Sequence, residues 1–491
     1  MTFNDVKGWQ GTAEDLCVQL KRKIEQLQLS IEPPTVRVIR SWRSRKLLSQ
    51  PKGQKFGFRQ ILEGLVTLSL LEKGWTLVAI TASLSSRNDL ELEQQILAET
   101  DSDQTTLLFK PKDNNHLAIA KDAIILLAQG ILRQYTRVLT GIEIVRQNEH
   151  LPAELHVAMC KLGRLYLSEG KCDRAACLHD VLDYSRYPLN HQKWDLDIFK
   201  QIEYHPVQLI DYDLRVPTAE CAEIAKKSRS FGEDNVIQSR LYSQLKTATE
   251  RLGNRKKDQA YTCLRELIGR RSLIKEIELF DYLIDHNLTP LQKTIIEFFD
   301  PVSDTWLING YALRCAHCGT LIRPHPHRDR YPQGYCPIHQ CNSRYPPKVG
   351  ERINPQQDNV LIAKPQILVY WTAPAIDELA IFDRAKTYGL EAQLYPNYDE
   401  CDIAINHYEV GIDAKSYRSP VLLALKLNRS IGGLIHYRKR IIAITDEMIK
   451  NYPDYISTVY SLLDQKSDTN SLKIMSVSTV IQNIKEGKYA N

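Results

Sequence analysis

The feature that most constrains this chain is a cluster of cysteines in its second half. The segment CAHCGTLIRPHPHRDRYPQGYCPIHQC holds Cys315-x2-Cys318, seventeen intervening residues and Cys336-x4-Cys341, with His339 inside the second pair. Zn²⁺ takes four nitrogen or sulfur ligands in a tetrahedron, and a Cys-x2-Cys turn followed by glycine presents two thiolates from one tight loop. Gly319 follows the first pair and Gly334 precedes the second. The spacing predicts a closed, structural zinc site of Cys315, Cys318, Cys336 and Cys341, with His339 as the alternate to Cys341. A catalytic zinc is disfavoured, because such sites keep an open position and use fewer thiolates. Arg323, His325, His327, Arg328 and Arg330 decorate the intervening loop, either as a solvated surface or as contacts to nucleic acid.

The remaining cysteines, of eleven in all, show no metal-ligand spacing. The first residues, MTFNDVKGWQGTAEDL, carry no basic-then-apolar export signal, so a reduced, cytoplasmic protein is expected. The longest apolar stretch, Ala123–Leu132, is broken by Gln129 and Gly130 and is too short to span a membrane. A net charge of +5 is small for 491 residues, so an anionic partner must be met by a local patch. With 43 % hydrophobic and 25 % charged residues the chain has enough apolar content for several cores. It has no GxxxxGK[ST] loop and no GxSxG motif, which removes the simplest ATPase and hydrolase readings.

One local patch lies near the amino terminus. Between Pro33 and Leu62 there is no acidic residue but there are eight basic ones: Arg37, Arg40, Arg43, Arg45, Lys46, Lys52, Lys55 and Arg59. Arg37, Arg40 and Arg43 recur every third residue, near one helical face beside Trp42. A helix with that face can lie in a major groove and touch phosphates and base edges. The following LLSQPKGQKFGFRQ reads as a turn-containing wing with Lys52 and Lys55 along it. On charge alone, a solvated basic face is the commoner outcome. The order of parts, however, resembles the MerR-type winged helix-turn-helix over about residues 33–86. The matching elements are Arg40-Ser41-Trp42, Leu47-Leu48, Phe58-Arg59 and Gly74-Trp75-Thr76-Leu77 with Ile80. The helix that normally precedes the recognition helix is poorly matched by KRKIEQLQLSIEP. The resemblance implies DNA binding through Arg37, Arg40, Trp42, Arg43, Lys52, Lys55 and Arg59.

The carboxyl-terminal segment YPNYDECDIAINHYEVGIDAKSYRSPVLLALKL carries the second chemical constellation. Asp402 opens a short apolar strand, and Asp413-Ala414-Lys415 closes another. On neighbouring strands these residues meet at one end of a sheet. Two carboxylates and a backbone carbonyl are hard oxygen ligands for Mg²⁺, and a lysine beside them can orient or help deprotonate a water attacking a phosphodiester. The short motif alone carries little, since [DE]-x-Lys also occurs at Asp5, Glu169, Asp464 and Glu486. In its strand context the region resembles the PD-(D/E)xK restriction-endonuclease-like superfamily. That resemblance implies Asp402 as first metal-binding acid, Asp413 as second, Lys415 as the lysine and Glu378 as a helical acid, with Asp377 and Glu409 as competitors. The superfamily's proline before the first Asp is absent, since Glu400-Cys401 stand there. An ordinary α/β domain with charged strand ends is the competing reading.

The expected architecture is multidomain α+β: a winged helix over 1–90, a mainly helical middle over 91–304, a zinc module over 305–355 and an α/β nuclease-like domain over 356–491. Within the last, ILVYW, DIAIN, YEVGIDAK and KRIIAIT read as strands and DELAIFDRAKTYGL as a helix. This order of parts is similar to the nuclease-fold component of pPIWI-RE prokaryotic defence systems. The resemblance implies anti-phage or anti-plasmid defence, with DNA, an Argonaute-related pPIWI-RE protein and a helicase as partners. Structural zinc and catalytic Mg²⁺ or Mn²⁺ are the expected metals, and a homodimer is allowed. The alternative is a MerR-like DNA-binding regulator or recruiting subunit whose nuclease fold is inactive.

Overall fold

The computed structural model describes residues 3, 5–27, 31–50, 55–72, 77–85, 87–100, 113–139, 151–227, 237–252, 257–329, 331–464 and 471–489. They fall into two units, 1–115 and 116–491.

In the first unit, Thr12 starts helix α1 (Ala13–Gln26) through a capping box. Its Oγ1 accepts the Asp15 N–H at 3.3 Å, while Asp15 Oδ2 accepts the Thr12 N–H at 2.9 Å. Leu16, Leu20 and Ile24 recur at four-residue spacing and form the buried stripe of this helix. Helix α2 (Val36–Ser44) buries Ile39 and Trp42 and exposes Arg37, Arg40 and Arg43. Trp42, expected on the DNA face, is only 4 % exposed and belongs to the core. The one-residue step from Trp42 to Arg43 turns the two side chains about 100° apart, which puts them on different faces. Helices α3 (Phe58–Glu72), α4 (Leu77–Ser85) and α5 (Asp89–Thr100) complete the unit. Gly11 and Phe56 form a single antiparallel bridge, and no strand occurs among the described residues of this unit. The expected wing tip, including Lys52, lies outside the described residues.

The second unit begins with helix α6 (Asp113–Leu139) and continues through α7 (Ala153–Ser168), α8 (Leu178–Tyr184), α9 (Ala219–Ala225), α10 (Ile237–Glu250) and α11 (Lys257–Arg270). Strand β1 (Leu273–Lys275), helices α12 (Glu276–Asp285) and α13 (Gln292–Ile296), and strand β2 (Phe299–Pro301) follow. The cysteine-rich segment contributes β3 (Ala312–Cys315), β4 (Leu321–Ile322), α14 (His339–Asn342) and β5 (Val349–Ile353), whose strands pair antiparallel in the order β4-β3-β5. Strand β6 (Val360–Ala363) then runs between β1 and β2, antiparallel to both. The helical middle and the carboxyl-terminal stretch therefore share a sheet.

ILVYW is helical. Pro365 opens α15 (Pro365–Ile367), a π-helical turn spans Leu368–Thr372, and both run into α16 (Ala373–Thr387). A short run of apolar and aromatic residues suits a buried helix as well as a strand, and here Leu368, Tyr370 and Trp371 are all buried. Beyond α16 come β7 (Ala392–Leu394), the turn α17 (Pro396–Asp399), β8 (Ile403–Ile405), β9 (Val410–Lys415), α18 (Pro420–Arg429), β10 (Lys439–Ile444), α19 (Asp446–Asn451), α20 (Tyr455–Leu462), β11 (Leu472–Ser476) and α21 (Val477–Lys485). The five strands lie in the order β11-β10-β9-β8-β7, with β11, β10 and β9 parallel and the β9–β8 and β8–β7 pairs antiparallel. Central parallel strands are covered on both faces, which is why β10 reads as the unbroken apolar run IIAI. Gly411 lets β9 pass Tyr437, since a Cβ there would lie 2.5 Å from the ring. Among the described residues no helix is long and apolar enough to cross a membrane.

Candidate active site and metal centre

The four cysteines come together. Cys315 ends β3, Cys318 follows in the turn, Cys336 lies ahead of α14 and Cys341 sits on it, and all four thiols are buried within 4.8 Å of one another. Cys315 and Cys341 sulfurs are 3.8 Å apart and those of Cys318 and Cys336 are 3.5 Å apart. A disulfide needs about 2.05 Å. A tetrahedron with Zn–S bonds of about 2.3 Å has sulfur–sulfur edges of about 3.8 Å, so the donor set fits zinc in both chemistry and spacing. His339, the alternate ligand, points elsewhere: its Nε2 is 3.1 Å from Glu447 Oε1. In the first turn the Gly319 N–H donates to the Cys315 carbonyl at 3.0 Å. Gly319 has φ +70°, and a Cβ there would sit 2.1 Å from the Arg270 carbonyl oxygen. Gly319→Ala is therefore expected to destabilise the protein by more than about 1 kcal/mol and to reduce bound zinc. A melting curve and metal analysis of that variant check this.

The second group lies where β8 and β9 adjoin. Asp402 immediately precedes β8, while Asp413 and Lys415 alternate with apolar Ile412 and Ala414 along β9. Strand period two thus directs Asp413 and Lys415 to the same face. The Ala414 N–H donates to Asp402 Oδ2 at 2.7 Å, and the Asp402 N–H donates to Asp413 Oδ1 at 3.1 Å. Lys415 Nζ stands 3.2 Å from Asp413 Oδ2 and 3.6 Å from Asp402 Oδ2. Burial, with lesser contributions from Glu378 and Asp413, holds the Asp402 carboxyl well above the usual range despite the attraction of Lys415. Burial also opposes the charge on Lys415, but Asp402 and Asp413 outweigh it, so the ammonium keeps its proton above the usual lysine range.

The three candidate helical and loop acids separate clearly. Glu378 is 2 % exposed, and Tyr395 donates its hydroxyl to Glu378 Oε2 at 2.6 Å. Burial pushes the Glu378 carboxyl up to about 7 against the pull of Arg265. Asp377, one residue earlier, turns instead to Arg344 and Thr445. Glu409 is at the surface, 3.3 Å from Arg438. Among the described residues the cysteine quartet is the only cluster of three or more candidate ligands within 4.8 Å, so Glu378 does not join Asp402 and Asp413 at that distance.

Two neighbouring cations were not singled out from sequence. Lys426 interrupts the apolar face of α18, donates to the Tyr417 hydroxyl at 3.2 Å, and is pulled down to about 8 by burial and by the nearby charge of Lys415. Its signal was a lone lysine inside VLLALKL. Arg265 is buried on α11, with its guanidinium 4.5 Å from the Tyr395 ring and 4.9 Å from that of Trp371. Nothing in the local pattern TCLRELIG marks it.

In the amino-terminal unit, Arg37, Arg40, Arg43 and Lys55 are exposed. Arg40 Nη2 is 2.9 Å from Glu14 Oε1, an ion pair open to solvent and therefore weak. The Arg43 guanidinium lies 6.0 Å from the Phe56 ring. Arg59 is engaged internally, donating to Glu63 at 2.8 Å, Asp89 at 2.8 Å and the Leu84 carbonyl at 3.0 Å.

Residues 375–490 match the family described as "REase associating with pPIWI_RE". The carboxyl-terminal domain is thus restriction-endonuclease-like, of the kind associated with pPIWI_RE systems. Over residues 373–444 its elements follow the order helix, strand, strand, strand, helix, strand. No curated protein and no solved structure matches the chain.

Proposed function

We propose that this protein is a metal-dependent DNA endonuclease of a prokaryotic defence system, working with a pPIWI_RE protein. The observation that carries the reading is the Lys415 ammonium set between Asp402 and Asp413 at the adjoining strand ends, in a domain matched to a restriction-endonuclease-like family. Two carboxylates with the Ala414 carbonyl are too few to enclose a cation alone. They suit Mg²⁺, which keeps several waters and binds through one or two carboxylates plus phosphate oxygens. When bound there, Mg²⁺ or Mn²⁺ would supply neutralisation of the charge that develops on the scissile phosphate. Asp402 and Asp413 each spend one oxygen on a backbone N–H, which fixes how the other is presented. Lys415, holding its proton on Nζ, orients the attacking water and steadies its oxygen as negative charge grows. Glu378, whose carboxyl is pushed towards neutrality, contributes a proton-sharing partner to Tyr395 beside this group.

DNA capture is assigned to the exposed arginine face of α2 and to Lys55 of the same unit, on the MerR-like resemblance of residues 33–86. Arg40→Ala or Arg43→Ala should weaken duplex binding several-fold and reduce the steepness of its salt dependence by about one counterion each. Binding titrations at two or more salt concentrations measure both. If the two variants bind as wild type does, the DNA face lies elsewhere. The association named in the family description is extended to this chain, with an Argonaute-related pPIWI_RE protein and a separate helicase as partners. A chain without a GxxxxGK[ST] loop suits a division of labour in which another subunit hydrolyses nucleotide.

A second reading is favoured by the small ligand set: with two carboxylates and, among the described residues, no third acid within 4.8 Å, the fold would serve a non-catalytic DNA-binding or recruiting subunit. Nicking of supercoiled plasmid with Mg²⁺ or Mn²⁺, alone and with the partner proteins, separates the two. Cleavage selects the enzyme. Retained binding with no cleavage under any of these conditions selects the binder.

A further inference from the structure

The zinc-type cysteine cluster and the nuclease-like sheet are tied together at one point. Arg344 follows Cys341 by three residues, just past α14. Its two terminal nitrogens donate to both oxygens of Asp377, at 2.6 and 2.8 Å. Asp377 is 3 % exposed, so this is a forked charge pair inside the protein. The same carboxylate accepts from Thr445 Oγ1 at 2.8 Å, and the Thr445 N–H donates to the Lys415 carbonyl at 3.1 Å. Thr445 directly follows β10, whose last residue, Ile444, is in register with Lys415. A second tie lies two residues on. Glu447 of α19 accepts from Ser343 Oγ at 2.6 Å and pairs with His339 Nε2 at 3.1 Å. The short stretch 339–344 thus grips Asp377 on α16 and Glu447 on α19.

We propose that the cysteine module is a brace for the carboxyl-terminal end of β9: Arg344, Asp377 and Thr445 are positioning residues that hold the Lys415 backbone in register, and metal binding by the four cysteines keeps that brace in place. The cysteines fix α14, α14 delivers Arg344, and Arg344 orients Asp377 so that its second lone-pair direction meets Thr445. None of these three side chains contacts Lys415 Nζ, so the effect runs through the backbone. The consequence for cleavage rests on the nuclease reading above; the mechanical link does not.

Two measurements on the full chain test the brace. Hydrogen–deuterium exchange follows the amides of residues 410–416 and 444–448, with the β7 segment and helix α7 as internal controls. Arg344→Met, and Cys315→Ser where it folds, should speed exchange in the first two segments while leaving 392–394 and 153–168 unchanged. Steady-state plasmid cleavage follows the chemistry. Thr445→Val should lower kcat on the order of tenfold, within the range typical of outer-shell partners, with KM for DNA unchanged. Thr445→Ser keeps the hydroxyl and should restore it. The double variant Arg344→Met with Asp377→Leu replaces the charge pair by apolar groups and should recover the melting temperature but not kcat, because Thr445 has lost Asp377 and keeps only its long contact to the Lys415 carbonyl at 3.4 Å. A purely structural role predicts that kcat recovers with stability, and that result overturns the proposal. So does unchanged exchange in 444–448 for Arg344→Met. If wild type cuts nothing while exchange responds as described, the nuclease reading fails and the brace stands.

Discussion

Asp413→Ala should lose metal-dependent plasmid cleavage by roughly 10³-fold or more, which is the cost of removing several kcal/mol of charge stabilisation from the transition state. The substitution removes one of only two carboxylates in the group and leaves Lys415 with Asp402 alone. It also takes away the acceptor of the Asp402 N–H, which by itself costs about 1–3 kcal/mol of stability in a part-buried site. Asp413→Asn is the cleaner comparison, since its side-chain oxygen still accepts that N–H while the charge is gone. Both variants should bind duplex DNA as wild type does, because binding is assigned to the other unit. Lys415→Ala should be as inactive as Asp413→Ala yet retain the divalent metal, which titration calorimetry with Mn²⁺ can read. Variants that cut as fast as wild type would put the chemistry elsewhere in the chain.

The second large effect concerns zinc. Protein purified without chelator should carry about one equivalent, and Cys315→Ser or Cys336→Ser should release it. Structural zinc sites in small modules bind with apparent free energies of about 10–16 kcal/mol near neutral pH, and that binding energy is folding energy. Within the module itself, regular structure is sparse. Its sheet is three short strands, with only two residue pairs between β3 and β4. Without the metal, four buried thiols lie within 4.8 Å of one another with nothing to join them. The expected result is rapid proteolysis between residues 315 and 341 in the variants and resistance in wild type. Metal-free wild-type protein that melts where the zinc-loaded protein does would refute a structural role.

The two constellations differ from the rest of the molecule in how far apart in the chain their members lie. Each pair of cysteines is a local turn, and its glycine, Gly319 or Gly334, has the positive φ that the turn requires. Asp402, Asp413 and Lys415 sit at the ends of consecutive strands, where period two and a short connection bring them together. Such features survive without knowledge of distant partners. The helical acid did not. Asp377 and Glu378 are neighbours on α16, where one residue rotates a side chain by about 100°, and no local pattern says which faces the sheet. Glu378 turned to Tyr395, and Asp377 to an arginine 33 residues upstream and a threonine 68 residues downstream.

The same distinction accounts for the readings that changed. Trp42 looked like an interface residue among arginines, but an indole gains more from burial than from solvent, and the first unit placed it in the core beside Ile39. ILVYW has strand composition, yet Pro365 and the packing of Tyr370 and Trp371 against the surrounding core made it helical. Arg59 fitted a basic wing by charge and order but was drawn into pairs with Glu63 and Asp89. His339 had ligand chemistry equal to that of Cys341, and only the orientation of α14 turned it to Glu447.

Chain-local chemistry therefore sufficed to bring out the cysteine quartet and the proximity of Asp402, Asp413 and Lys415, because covalent connection and backbone period already limit where those atoms can go. The brace through Arg344, Asp377 and Thr445, the buried Arg265 between two aromatic rings, and Lys426 beside Lys415 were decided by tertiary packing. A buried charge is tolerated only where a partner meets it. The partners of Arg344, Asp377 and Arg265 come from segments tens of residues away or more, and only the assembled fold sets their distances.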